Sequence, residues 1–171
     1  MATRRDSRSP LVINIARLGR RPGSMLTVQE CVPSPSCIGR DLVAIDKAAP
    51  LELDLRVESV SEGALVTGTV SAPTTGECAR CLTAMTGHVE IDLTELYAYP
   101  DSATEATTEA DEVGHVVDNT IDLEQPIVDA VGLALPFSPL CGPDCVGLCP
   151  RCGIPLATAE PGHRHEQIDR Y

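Results

Sequence analysis

Residues 139–156 read PLCGPDCVGLCPRCGIPL and place Cys141, Cys145, Cys149 and Cys152 within twelve positions. CPRCG (149–153) is a C-x2-C knuckle. Two thiolates at that spacing can grip one metal while the N–H groups of the turn point at the sulfurs. Pro150 fixes the turn, and Gly153 permits the positive φ that commonly follows. Cys141 and Cys145 add a C-x3-C pair just upstream, with Gly142 and Gly147 to relieve crowding around a common centre. Four thiolates are the tetrahedral set that zinc takes in closed structural sites, so these four cysteines are expected to hold structural zinc. Two alternatives stay open at this point, reduced metal-free thiols and an iron–sulfur cluster. The tightly spaced C-x2-C steps of ferredoxins are missing.

A second C-x2-C stands at Cys78-Ala79-Arg80-Cys81. It falls on an expected strand or turn and not at a helix N-terminus, which gives little support to a thioredoxin-like site. It can supply a second knuckle that pairs with Cys149 and Cys152 as a discontinuous ribbon, or be a structural thiol pair in a sheet. Arg80 between the thiols would favour thiolate. Cys31 and Cys37, at C-x5-C spacing, match no ligand pattern and read as ordinary thiols. His163 and His165 can replace one cysteine as ligands or be solvated residues of a polar tail. His88 and His115 have no acid or nucleophile near them in pattern. There is no Ser–His–Asp order, P-loop, H-E-x-x-H or G-x-G-x-x-G. A closed four-sulfur site leaves no position for substrate, so neither an enzyme nor a small-molecule substrate is expected.

The elements that must position these cysteines are mostly strands. LVINI, MLTVQECV and LVAID alternate or cluster apolar residues, with prolines at 33, 35 and 50 marking loops. In LELDLRVESVSEGALVTGTVSA, Leu51, Leu53, Leu55 and Val57 face one way and Glu52, Asp54, Arg56 and Glu58 the other. SEG (61–63) turns the chain, and the alternation resumes, which is a hairpin with one wet face. TTG (74–76) is read as a break, followed by strands over ECARCLTAM and HVEIDLTELYAY. Leu123, Ile127, Val131 and Leu135 recur at helical spacing, which predicts a helix over 122–135, capped by Asp122 and ended by Pro136.

The expected fold class is α+β: mainly antiparallel β-sheet, one main helix and a C-terminal four-cysteine zinc-binding element. The expected organisation is a flexible basic arm (1–9), a β-rich domain (10–138) with a mobile acidic loop at about 101–119, and a cysteine-rich element with a polar tail (139–171). At 171 residues the chain can bury roughly 70% of its unfolded surface and needs no staples to fold. Its apolar run LVINIA is too short for a signal peptide or a membrane span. The expectation is therefore a cytoplasmic protein with no membrane association, where thiols stay reduced and eight cysteines favour metal or redox chemistry over disulfides.

The net charge is −12 and is unevenly spread. Six of the thirteen basic residues lie in the first 21 positions; none lies between Cys81 and Pro150, against thirteen Asp or Glu there. Such a stretch repels phosphate, and with so few aromatics it is a poor base-stacking platform. It suits a basic protein partner, or is a solvated face that keeps the protein soluble.

Three stretches carry a family resemblance: GTVSAPTTGECARCL, IDLTELYAYP and IDLEQPIVDAVGLALPFSPLCGPDCVGLCPRCG. They resemble the bacterial YceD family of large ribosomal RNA subunit accumulation proteins, and LVINIARLGRRPGSM looks like its actinobacterial form. The positions that match are Cys78, Arg80, Cys81 and Leu82, then Cys141, Asp144, Cys145, Gly147, Cys149, Cys152 and Gly153. Relatives often carry an Arg near the helix start, where this chain has Ile127, Val128 and Asp129. The resemblance implies a non-catalytic role in 23S rRNA accumulation and large-subunit assembly. Such a factor would bind a basic ribosomal protein or rRNA-processing factor, with an rRNA contact through the N-terminal Arg arm. Some members lack the cysteine-rich tail but keep the C-x2-C, which implies a separate role for Cys78, Arg80 and Cys81: a partner or RNA contact, or a second thiol site. The alternative function is a thiol-based redox or metal sensor using Cys78 and Cys81.

Overall fold

The computed structural model describes residues 9–100, 102, 113–156, 159–160 and 162–163. Residues 1–8 of the expected basic arm (1–9) and residues 101 and 103–112 of the expected acidic loop lie outside the described residues.

The strands are β1 (Val12–Asn14), β2 (Met25–Pro33), β3 (Ile38–Gly39), β4 (Val43–Ile45), β5 (Pro50–Val60), β6 (Gly63–Glu77), β7 (Ala84–Ala98), β8 (Gly114–His115) and β9 (Thr120–Asp122); helix α1 spans Glu124–Ala134. The alternation at 51–70 does form a hairpin, with Val60 opposite Gly63 across the Ser61-Glu62 turn. β6 is the spine of the main sheet. β7 runs antiparallel along one edge, from the pair Gly63–Ala98 to the pair Glu77–Ala84. On the other edge β5 pairs as far as Ser71, and β4 takes over at Thr75 and Gly76. β2 extends the sheet beyond β5. β1 and β9 form a separate small antiparallel pair.

The sheet is mainly antiparallel, and its one described helix packs on β7 and β3. Its inner face buries Leu51, Leu53, Leu55 and Val57 from β5, Val66 and Val70 from β6, and Ile91 and Leu93 from β7. Leu11, Ile13 and Ile15 join that core, and Leu123, Ile127, Val131 and Leu135 close it from the helix side. The outer face is wet and acidic. Glu52, Ser71 and Glu90 lie in one cross-strand row, and Asp54, Thr69 and Asp92 in the next; all four acids are exposed.

Three local expectations change. TTG does not end a strand: β6 runs through it. Gly76 is there for a close approach, since a Cβ would sit 2.2 Å from Leu42 O as β4 crosses. Asp122 does not occupy the helix cap. It closes β9, and its Oδ1 accepts the Glu124 N–H (2.9 Å) from one residue further out, with Leu123 at the cap position. Within 113–119 the chain forms an unexpected short strand: β8 pairs in parallel with Tyr97 and Ala98, and Asp118 and Asn119 turn the chain at positive φ. The Tyr97 hydroxyl donates to Asp122 O (2.7 Å), which ties the far end of β7 to the start of the helix. At the helix end the Arg40 guanidinium donates to Gly132 O and lies over the Phe137 ring, 3.6 Å from its centroid. A cation there suits the carbonyl-rich terminus.

Candidate metal centre

The long β6–β7 hairpin ends in the first C-x2-C. Strand pairing stops at Glu77–Ala84, so Cys78–Thr83 is the tip. Two hydrogen bonds fold it: Cys78 N–H to Thr83 O (3.0 Å) and Leu82 N–H to Cys78 O (2.9 Å). Leu82 takes positive φ (58°), the conformation that lets the chain return to β7 after the second cysteine.

The segment after the helix folds over this tip. Ala79 N–H donates to Pro139 O (2.7 Å), and Arg80 Nη1 donates to Cys145 O (3.0 Å). These bonds bring the C-x3-C pair to the knuckle. Cys78 Sγ lies 3.6 Å from Cys145 Sγ, and Cys81 Sγ 3.7 Å from Cys141 Sγ. All four sulfurs lie within 4.8 Å of one another, a set able to hold a metal ion. All are free cysteines, and the separations are far from the roughly 2.05 Å of a disulfide. Cys78 is fully buried, Cys81 is 4% exposed and Cys145 9%, while Cys141 stands at the surface. Met85, Leu140 and Leu148 pack around them as a small apolar cluster apart from the main core.

The four thiols are driven apart electrostatically. The Cys81 N–H aimed at Cys78 outweighs its burial and draws that thiol down to about 6, with the Cys141 and Arg80 N–H groups helping. The Thr83 hydroxyl and N–H lower Cys81. The neighbouring thiols of Cys145, Cys81 and Cys78 push Cys141 up to about 12. The Gly147 N–H pulls Cys145 down, but burial and Cys78 raise it overall. Crowded sulfurs that cannot all ionise beside one another are what a bound cation would relieve.

The second C-x2-C stands in its own turn. Cys149 N–H donates to Ile154 O (2.8 Å), Gly153 N–H to Cys149 O (2.9 Å), and Gly153 has φ 75°. A bridge between Leu148 and Pro155 holds its base. His163 approaches it, with Nε2 3.5 Å from Cys152 Sγ; the ligand atoms of Cys149, Cys152 and His163 lie within 4.8 Å of one another. The Cys152 and Arg151 N–H groups draw Cys149 down to about 6, with His163 assisting.

The sequence profile described as "Large ribosomal RNA subunit accumulation protein YceD" matches residues 66–171. The chain belongs to the YceD family. The matched region holds both knuckles and the Cys141–Cys145 loop, and leaves Cys31 and Cys37 outside. Uncharacterized proteins of Mycobacterium tuberculosis and Mycobacterium bovis are 71% identical over 161 residues, covering 94% of this chain and 77% of theirs. One of Mycobacterium leprae is 59% identical over 169 residues, covering 99% and 77%. No solved structure matches the chain. Membership of the YceD family suggests a ribosome-related role, and the family is generally non-enzymatic. No helix among the described residues is long and apolar enough to cross a membrane.

This YceD protein divides its cysteines differently from the grouping expected of their spacing. Cys141, Cys145, Cys149 and Cys152 do not form one set: the first two join Cys78 and Cys81, the last two join His163. Nor do Cys78 and Cys81 form a ribbon with Cys149 and Cys152. The cause is the Val146–Leu148 linker, where Gly147 at φ 81° redirects the chain and the Leu148–Pro155 bridge turns the second knuckle onto its own hairpin. Gly142 relieves no crowding, since a Cβ there meets nothing. Arg80 acts on the thiols through its backbone N–H, its guanidinium being spent on Cys145 O. Cys31 and Cys37 are exposed and belong to neither set. His165 lies outside the described residues. His163 was legible only as a candidate replacement ligand; its eleven-residue distance from Cys152 follows no familiar ligand spacing.

Proposed function

We propose that this YceD protein is a non-catalytic ribosome-biogenesis factor that supports 23S rRNA accumulation and large-subunit assembly in the cytoplasm. The family match over residues 66–171 carries the reading. Structural zinc held by Cys78, Cys81, Cys141 and Cys145 would fasten the hairpin tip to the C-terminal segment. The sulfur geometry supports that metal: a tetrahedron with metal–sulfur distances of about 2.3 Å has edges of about 3.8 Å, against the 3.6 and 3.7 Å seen. With all four positions filled by sulfur, such a zinc keeps no site for substrate.

The partner favoured is a basic ribosomal protein or rRNA-processing factor that docks on the acidic outer sheet face. Glu52 and Asp54 of β5 and Glu90 and Asp92 of β7 stand there on either side of β6, with Arg56 in the next row, beside Thr67 and Thr94. A second contact, to rRNA, would use the basic N-terminal segment. Within it Arg20 lies 4.7 Å over the Tyr99 ring, while Arg17 and Arg21 are exposed. Depletion of the protein, followed by sucrose-gradient profiles and a 23S-to-16S rRNA ratio, tests the function. The ratio should fall, and the protein should co-sediment with large-subunit precursors in a ribonuclease-resistant complex. An unchanged ratio with no co-sedimentation defeats the proposal.

The competing reading is redox chemistry at Cys78 and Cys81, favoured by the lowered Cys78 thiol. Its burial opposes that use, because an exchanging partner must reach the attacking sulfur. Alkylation of the zinc-loaded protein separates the two: a redox pair would be modified first, a zinc-held set last.

A further inference from the structure

The two C-x2-C turns are one backbone device used twice. In each, the first cysteine's N–H donates to the carbonyl five residues on: Cys78 to Thr83 at 3.0 Å and Cys149 to Ile154 at 2.8 Å. In each, the residue after the second cysteine returns its N–H to the first cysteine's carbonyl at 2.9 Å. That residue stands at positive φ, 58° for Leu82 and 75° for Gly153. An arginine precedes the second cysteine both times. The first sulfur faces the N–H groups of that arginine and of the second cysteine, the arrangement that stabilises a thiolate ready for a metal. The turns differ in what faces them. The first meets two further sulfurs and is closed; the second meets the His163 imidazole, making three ligand atoms among the described residues.

We propose that Cys149, Cys152 and His163 form a second, independent zinc site whose fourth coordination position is open to water or to a nitrogen or sulfur donor from outside the chain. Two thiolates and an imidazole suit zinc, and three protein ligands leave a tetrahedral ion one exchangeable position. The two sites also differ in access. Cys78 is fully buried, whereas Cys152 is exposed and His163 half-buried. The second ion is therefore reachable by competing ligands. It fills and empties with metal supply while the four-sulfur site stays loaded. Filling it would fasten His163 to the Cys149–Cys152 turn, since binding to a turn of this kind is also folding. The inference does not rest on the four-sulfur site being occupied.

Cobalt(II) titration of the full chain, read by its sulfur-to-metal charge-transfer and d–d absorption, tests it. Two equivalents are expected, the second with about half the charge-transfer intensity of the first because it has two thiolates against four. His163→Ala and Cys149→Ser should each lose the second equivalent and keep the first. Cys141→Ser should lose the first and keep the second, so failure at one site is distinguishable from failure at the other. Added imidazole should shift the second-site spectrum in wild type and leave the first unchanged. A single equivalent in wild type would overturn the proposal, as would a second equivalent that survives His163→Ala. Loss of the imidazole response together with loss of the second equivalent in His165→Ala would overturn the open position.

Discussion

Replacing Cys78 by serine is the perturbation that separates the structure's grouping of cysteines from the one their spacing suggests. Structural zinc in small domains contributes about 10–16 kcal/mol in apparent binding free energy at neutral pH. Shared over four thiolates, one ligand is worth roughly 3–4 kcal/mol, or about 100- to 1,000-fold in affinity. Cys78 should sit at the upper end. Its sulfur is fully buried and faces the N–H groups of Cys81, Arg80 and Cys141. A serine oxygen would leave those donors poorly satisfied as well as failing to bind. The assay is competition with a graded series of chelators on the full chain, followed by zinc release. Cys78→Ser should release the tightly held ion at a chelator strength 100-fold or more below wild type, while Cys149→Ser leaves that ion in place. If Cys149→Ser loosens the tight ion as much as Cys78→Ser does, the tail cysteines form the closed site themselves and the assignment is wrong.

Gly153→Ala should weaken the second site alone by about fivefold in a cobalt titration. Nothing surrounds a Cβ there, so the cost is the roughly 1–2 kcal/mol of a non-glycine residue at positive φ, offset by up to about 1 from the stiffer unfolded chain. Tyr97→Phe removes the 2.7 Å bond to Asp122 O and should lower stability to urea by about 1 kcal/mol, with zinc content unchanged. In the metal-free chain the thiol-dependent part of stability should peak near pH 9. Cys78 and Cys149 are lowered from 9.0 to about 6, so their contribution is lost as pH falls from 9 towards 6; Cys141, raised to about 12, loses its contribution as pH rises from 9 through 12. Melting temperature against pH, compared with a chain carrying serine at these positions, measures it; a flat difference would contradict the assignment of charge.

Periodicity exposed the hairpin and the helix because each has one wet and one dry face: Leu51 to Val57 alternate, and Leu123, Ile127, Val131 and Leu135 recur. TTG misled because glycine has two uses, turning a chain and admitting a neighbouring backbone, and Gly76 serves the second. The cysteines misled for a related reason. Closeness along the chain stood in for closeness in space, yet the four-sulfur set joins positions 60 and 67 residues apart. A clue lay in the spacing itself. C-x3-C is not a knuckle, so Cys141 and Cys145 needed a knuckle from elsewhere, and CARC, twin of CPRC, was the one left over. Pairing set by a hairpin tip meeting a loop after the helix is a property of the whole sheet's register, which no local pattern carries.

The span between Cys81 and Cys141 contains β7, β8, β9 and the helix. A metal joining the two ends would close that span into a ring in the folded chain alone, because the site exists only once the hairpin tip meets the loop after the helix. The apparent binding free energy of structural zinc, about 10–16 kcal/mol, is as large as the whole stability of an ordinary domain, about 5–15 kcal/mol. An ion held there would be less a local clip than a wager of the whole C-terminal half on metal supply. In a cell starved enough to empty the four-sulfur site, the protein should be lost to proteolysis, coupling its abundance, and any ribosome assembly that depends on it, to the metal economy.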